Sequence, residues 1–311
     1  MIERSARLAV CLAAAAALFA LQPAFAEDTT ACEAGGEAWR AGNLQASIDD
    51  FTVCIEQGDL APGTMASALA SRGNVLRVSG ATAHAISDFN HALEIDPDHA
   101  GALFGRANAW FDMRDLRQSM ADFDHAIAVM PTLAEAYFGR GNVKSAMRDY
   151  TGAIADYDQS LALQPGDPYA LTNRGWAHLE EGQFDAAIAD FDAAIAIKPD
   201  HILAYVDRAW ARYLQGDPAA GLPDAEHALT LGPNRVATHA TYGQLLAALG
   251  RKDEALIAFE KAMALGGEEI VMNYQQRLAE QGFDPGPADG GYGARTRDAL
   301  IACIDVACQL L

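Results

Sequence analysis

Eight histidines, five cysteines, 22 Lys plus Arg and 42 Asp plus Glu are the residues of this 311-residue chain with chemical reach. Their spacing decides which of them act together. His91, His125 and His227 recur at multiples of 34 residues, which suggests a metal array. A bond from histidine to an ion is about 2 Å long. Side chains a whole structural repeat apart do not share one ion, so we expect these histidines on a solvated face and no metal. The sequence has no HExxH, CxxC, phosphate loop or nucleophile elbow. No cofactor and no enzymatic activity are expected.

The charged residues are ordered too. Arg72, Arg106, Arg140, Arg174 and Arg208 are 34 residues apart. Asp50, Asp88, Asp122, Asp156, Asp190 and Asp224 form a parallel series. A ligand contact rarely recurs in every unit of an array. The series is therefore expected to be a ladder of Arg–carboxylate pairs that fixes helix angles through bidentate geometry. The formal net charge of -20 argues against nucleic acid, whose affinity comes from Lys and Arg meeting phosphates. It argues almost as strongly against an anionic membrane surface. Proteins, peptides, glycans and cations remain as partners.

These residues must be positioned by regular elements, and the prolines show which. Pro97, Pro131, Pro165, Pro199 and Pro233 are each 34 residues apart, the mark of a repeat array. With proline at repeat position 32, the units are 66–99, 100–133, 134–167, 168–201, 202–235 and 236–269. A degenerate first unit, 28–61, fits after an insertion of Pro62 to Met65. Position 8 is Gly or Ala throughout (Gly35, Gly73, Ala107, Gly141, Gly175, Ala209, Gly243). Positions 20 and 27 are also small. Position 24 is aromatic except at Ala225. Small residues let two helices approach, and the ring fills the space between them. Gly42, Gly80, Gly182, Gly216 and Gly250 at position 15 stop the first helix. Gly221, Pro223 and Ala225 predict a softer joint in unit 202–235.

These columns resemble the tetratricopeptide repeat family over residues 28–269. The resemblance implies an all-α solenoid of antiparallel helix pairs stacked into a right-handed superhelix. It implies a scaffold that binds a protein or peptide partner, not a chemistry. In such folds, positions 2, 5, 9, 12 and 13 of the first helix line a concave groove. Here they supply Asn74, Phe104, Asn108, Phe111, Phe138, Asn142, Tyr169, Trp176, Trp210 and Tyr213, with Gln244 at the last position 9. Side-chain amides pair with both the N–H and the C=O of an extended peptide, and aromatics serve as anchors. The competing use of these aromatics is packing between repeats. The Lys/Arg clamp that some members use on a terminal carboxylate is missing; Asn142 with Asn173 is only a fragment of it.

Both ends carry further signals. Arg4 and Arg7, the apolar run Leu8 to Leu21 and Ala24-Phe25-Ala26 read as a secretory signal cleaved after Ala26. That predicts a periplasmic or secreted protein with no membrane segment after cleavage. Cleavage removes Cys11 and leaves four cysteines, which allow three pairings. A Cys32–Cys54 bridge would join the two helices of the first unit and leave Cys303–Cys308. Residues five apart in a straight helix rise about 7.5 Å, so the last helix must break between them. Beyond Glu269, Gln276-Arg277-Leu278, Gly282-Phe283, Pro285-Gly286, Asp289-Gly290, Tyr292-Gly293 and Thr296 resemble the small peptidoglycan-binding three-helix domain, over about 270–305. That resemblance implies a wall-binding module carried by Phe283, Asp289, Gly290, Tyr292, Gly293 and Thr296. The alternative is that 270–311 only caps the array.

Overall fold

A computed structural model describes residues 29–57 and 60–310. The expected signal segment, 1–26, lies outside the described residues. The described residues contain fifteen helices and no strand. The chain divides into two compact units between Pro165 and Gly166.

The first unit runs from α1 to α8: α1 (Thr30–Arg40), α2 (Leu44–Glu56), α3 (Pro62–Val78), α4 (Thr82–Ile95), α5 (Ala100–Asp112), α6 (Leu116–Val129), α7 (Ala134–Ala146) and α8 (Tyr150–Leu163). The insertion Pro62 to Met65 adds a turn to the start of α3 and leaves the helix pairing intact. The second unit holds α9 (Pro168–Glu180), α10 (Phe184–Ile197), α11 (Ile202–Leu214), α12 (Pro218–Leu231), α13 (Val236–Ala248), α14 (Lys252–Glu280) and α15 (Ala294–Asp305). Within α14 the backbone breaks at Gly267, with φ of 65° and ψ of -159°.

The aromatic at position 24 is the centre of each helix pair. Phe51, Phe89, Phe123, Tyr157, Phe191 and Phe259 are at most 2% exposed. Each presses on a residue that must stay small. A Cβ on Gly141 would lie 2.6 Å from the Tyr157 ring, and one on Gly175 would lie 2.7 Å from Phe191. The ring also reaches the following pair: a Cβ on Gly139 would lie 2.3 Å from Phe123. Such distances are far inside van der Waals contact, so the glycines set the approach of the helices. At position 20 the hydroxyls of Ser47 and Ser119 donate to the carbonyls of Gly35 and Ala107, both at 2.8 Å.

The unit with Ala225 solves the same problem differently. Without a ring the helices close further, and a Cβ on Gly221 would lie 2.7 Å from the Ala209 carbonyl oxygen. α12 is continuous through Pro223. Asp217 caps it by accepting from Ala220 N at 3.0 Å. Asn43, Asp115 and Asp149 cap α2, α6 and α8 in the same way.

The Arg–Asp ladder has two parts. Within the five pairs from α3 to α12 the guanidinium grips the position-23 carboxylate through two bonds, as in Arg106 Nε and Nη2 to Asp122, both at 2.8 Å. Arg72–Asp88, Arg140–Asp156, Arg174–Asp190 and Arg208–Asp224 repeat it. The remaining Nη1 reaches position 25 of the preceding pair: Thr52 from Arg72, Asn90 from Arg106, Asp124 from Arg140 and Asp192 from Arg208. The aspartates are nearly buried, with Asp156 only 3% exposed. The hydrogen bond to Asp156, followed by that to Asp124, holds the Arg140 guanidinium above its ordinary pKa against the opposing cost of burial.

Both disulfides form as expected. Cys32 and Cys54 have Cα atoms 5.2 Å apart, and Cys303 and Cys308 have theirs 5.1 Å apart. Helix α15 ends at Asp305, and Ala307 turns with a φ of 51°, which supplies the required break.

Arg114 and Arg148 adopt left-handed φ values of 65° and 66° at position 15, where the other pairs carry glycine. That conformation costs an L-residue about 1–2 kcal/mol, partly offset by the greater entropy a glycine loses on folding. Arg114→Gly is therefore expected to raise stability by about 0.5–1 kcal/mol. Urea denaturation followed by circular dichroism reads it, and an unchanged or lower midpoint contradicts the strain.

Candidate functional site

The face of the first helix in each pair is built from what the packing above leaves over. In the first unit, Phe104 and Asn108 are each 7% exposed. Phe104 packs edge-on against Phe123, with ring centroids 6.0 Å apart. Asn108 Nδ2 donates to the Phe104 carbonyl at 2.9 Å. Both belong to the repeat packing and offer a ligand little surface. Asn74, Phe111, Phe138 and Asn142 are half-buried. Phe138 tilts against Tyr157 at 5.9 Å. The Tyr157 hydroxyl donates to Asn142 Oδ1 at 2.8 Å, which orients that amide.

In the second unit, Tyr169 is tied to its surroundings. Lys198 Nζ donates to its hydroxyl at 2.8 Å and lies 5.0 Å from its ring centroid, and His201 meets the ring edge-on. Trp176 and Trp210 are half-buried and pack over Leu179, Phe191 and Ala211. Trp210 stacks on Tyr213, with centroids 4.9 Å apart and planes 16° from parallel. The Tyr213 hydroxyl accepts from Gln244 Nε2 at 3.2 Å. Burial is the first cause that raises the Tyr213 pKa, so the phenol stays neutral. Gln244 is itself fully buried. Its Nε2 donates to the Cys308 carbonyl at 3.0 Å, and its Oε1 accepts from Leu310 N at 2.9 Å.

The residues after Gly267 organise around a side chain that the motif reading passed over. Gln275 is 1% exposed. Its Nε2 donates to Asp289 Oδ1, the Gly291 carbonyl and Thr296 Oγ1, at 3.1, 3.1 and 3.2 Å. Its Oε1 accepts from Gly290 N at 3.0 Å. Thr296 in turn donates to the Pro285 carbonyl at 3.0 Å. The backbone N–H of Gly291, then Gln275, holds the Asp289 carboxyl below its ordinary pKa. Gly290 has a φ of 78°, and a Cβ there would lie 2.9 Å from the Glu268 carbonyl oxygen. Asp289, Gly290 and Thr296 thus shape the turn. Gly293 precedes the first residue of α15. Phe283 packs on the core, and Tyr292 donates to Glu260 at 2.7 Å. An open cleft of about 250 Å³ lies between Gln275, Pro285, Pro287, Asp289, Arg295 and Thr296, and neither Phe283 nor Tyr292 lines it.

The histidines stand where solvated groups belong. His91, His125 and His227 are exposed, and His125 Nε2 lies 2.8 Å from Asp98. Among the described residues no three His, Cys, Asp or Glu side chains cluster to hold a metal ion. No described helix is long and apolar enough to cross a membrane.

A family model described as tetratricopeptide repeat matches residues 138–202 and 206–269. No curated protein matches the chain significantly. Among solved structures, a tetratricopeptide repeat protein from Parabacteroides merdae is 18% identical, with a TM-score of 0.60 over 88% of this chain and 97% of its own. YrrB is 20% identical, with a TM-score of 0.50 over 60% of this chain and 95% of its own. TTC0263, a thermophilic protein of Thermus thermophilus, is 20% identical at a TM-score of 0.50, over 60% and 100%. At these identities the likeness is one of fold. Period, packing and family match agree: the chain carries tetratricopeptide repeats, and its fold class is the all-α helical solenoid that such repeats build.

Proposed function

We propose that the chain is an exported, non-catalytic scaffold that holds an extended protein or peptide segment on the first-helix faces of its repeats. One observation carries this reading. The arginines, aspartates and position-24 rings are spent on holding the repeats together. What remains at the surface of the first helices is amide and aromatic: Asn74, Phe111, Phe138, Asn142, Trp176 and Trp210. Amides read peptide backbone in any sequence, and large rings supply contact area at small entropic cost. YrrB, one of the structural neighbours, is described as having an unusual peptide-binding site. Export rests on the Arg4 to Ala26 segment and fits two disulfides, which persist in oxidising compartments.

The test is capture from a periplasmic extract on the immobilised mature chain, with mass spectrometry of what is retained. Asn74→Ala, Asn142→Ala and Trp210→Ala combined should cut retention by about tenfold, the loss of two or more moderate anchors. Helical content should not change. Undiminished capture would place the binding surface elsewhere.

The same proposal lets the tail tether the scaffold to peptidoglycan, supported by the turn motif and its cleft. A second reading, a scaffold with no wall affinity or an accessory subunit of a wall enzyme, is favoured by one specific observation. Ile270, Tyr274, Leu278, Leu300 and Ile304 share a core with Leu246, Phe259 and Met263 of the last repeat, as a cap would. Co-sedimentation with purified sacculi separates the two. Ala294→Trp places a large ring in the cleft that Ala294 lines, and should abolish pelleting of a wall-binding protein. Binding should strengthen slightly with salt, because screening relieves repulsion between two acidic polymers. Equal pelleting of both proteins, or of neither, leaves the tail as a cap.

A further inference from the structure

The chain's own carboxy-terminal residues occupy the first-helix face of the last repeat in the manner of a peptide ligand. Gln244, at position 9 of α13, pairs with the carbonyl of Cys308 and the N–H of Leu310. Those two groups flank one residue, Gln309, of a segment outside any helix, and a single side-chain amide satisfies both, as a neighbouring β-strand would. The remaining Nε2 hydrogen goes to the Tyr213 hydroxyl, so no polar atom of the buried Gln244 amide is left unpaired. The Leu310 side chain is fully buried, in the cluster that contains Leu246 and Ala247. Backbone pairing next to an apolar side-chain socket is the pattern of sequence-tolerant peptide recognition. The Cys303–Cys308 bridge and the turn at Ala307 deliver the segment to this place.

We propose that Gln244, Tyr213 and the Leu310 socket form a peptide-binding subsite for an extended segment with an aliphatic residue just beyond the paired amide. The tail is its occupant in cis. This rests on the first-helix faces being the binding surface and names one subsite of it with its ligand class. A tethered occupant acts at an effective concentration on the order of mM, so a competing peptide meets a filled site.

The probe is a labelled synthetic peptide of residues 304–311 with Cys308→Ser, followed by fluorescence anisotropy on the full mature chain. The wild-type chain should bind it weakly. Leu310→Asp evicts the tail beyond the bridge and should tighten apparent binding by about tenfold or more, as removal of a cis competitor requires. Adding Gln244→Ala to that variant should abolish the gain. Leu310→Ala, which keeps the backbone pair, should give a smaller gain. Peptide binding that is equal in wild type and Leu310→Asp, or absent from both, overturns the proposal. So does a loss of helical content in both Leu310 variants, since the tail would then be part of the folding core. A chain that captures partners from extract yet gives no gain with Leu310→Asp defeats this inference alone and leaves the scaffold reading standing.

Discussion

A buried aspartate that needs its arginine is the constraint from which the repeat architecture follows. The position-23 carboxylate sits on the second helix, close to the dry centre of the pair. Burying an unpaired charge there costs several kcal/mol, and only good geometry repays it. The guanidinium at position 7 meets that need with two parallel bonds and so fixes the relative rotation of the two helices. Its third bond, to position 25 of the preceding pair, extends the constraint from one pair to the next. Neutralisation also matters for the whole molecule. In a chain with a formal charge of -20, the position-7 arginines are committed to carboxylates inside the repeats.

The ladder and the position-24 ring divide the work. The ring supplies area and sets spacing by pressing on Gly141, Gly175 and their equivalents; the ion pair sets angle. With both on the side of the first helix that faces its partner, the other columns carry lighter structural duty: Phe138, Asn142, Trp176 and Trp210 make packing or hydrogen-bond contacts and stay half-buried. That is why amides and aromatics accumulate there. Phe104 and Asn108 show the boundary between the two roles. They sit in groove-facing columns, yet packing has taken them in. Gln244 shows the other extreme, a position-9 amide wholly engaged by Cys308, Leu310 and Tyr213.

Much of this was legible in the residues. The 34-residue proline period placed every helix pair from 66 to 269, and the small residues at position 8 announced the close approach that the glycine distances record. The arginine and aspartate series announced their pairing because the two recur together in five successive units, from 66 to 235. The even cysteine count and the helical rise between Cys303 and Cys308 foretold the break after Asp305. What stayed hidden depends on neighbours that no column names. The third arginine bond uses Thr, Asn or Asp at position 25, which share only an oxygen acceptor. Arg114 and Arg148 occupy left-handed turns because tertiary packing overrides the preference for glycine. Gln275 looks like any polar helical residue until the turn at Gly290 wraps around it. Whether Phe104 is a groove residue or a core residue depends on how the next ring leans, and periodicity alone does not say.

The central claim is that the Arg–Asp pair is a coupled lock and not two independent surface charges. A double-mutant cycle on Arg106 and Asp122 tests it most directly, with urea denaturation of wild type, Arg106→Leu, Asp122→Leu and the double variant. Removing either partner alone should cost about 3 kcal/mol or more, because the survivor is left buried and unpaired. The double variant should then be about as stable as either single one, giving a coupling energy of about 3 kcal/mol or more. Single losses below about 1 kcal/mol that simply add in the double variant, as exposed ion pairs do, would contradict the account.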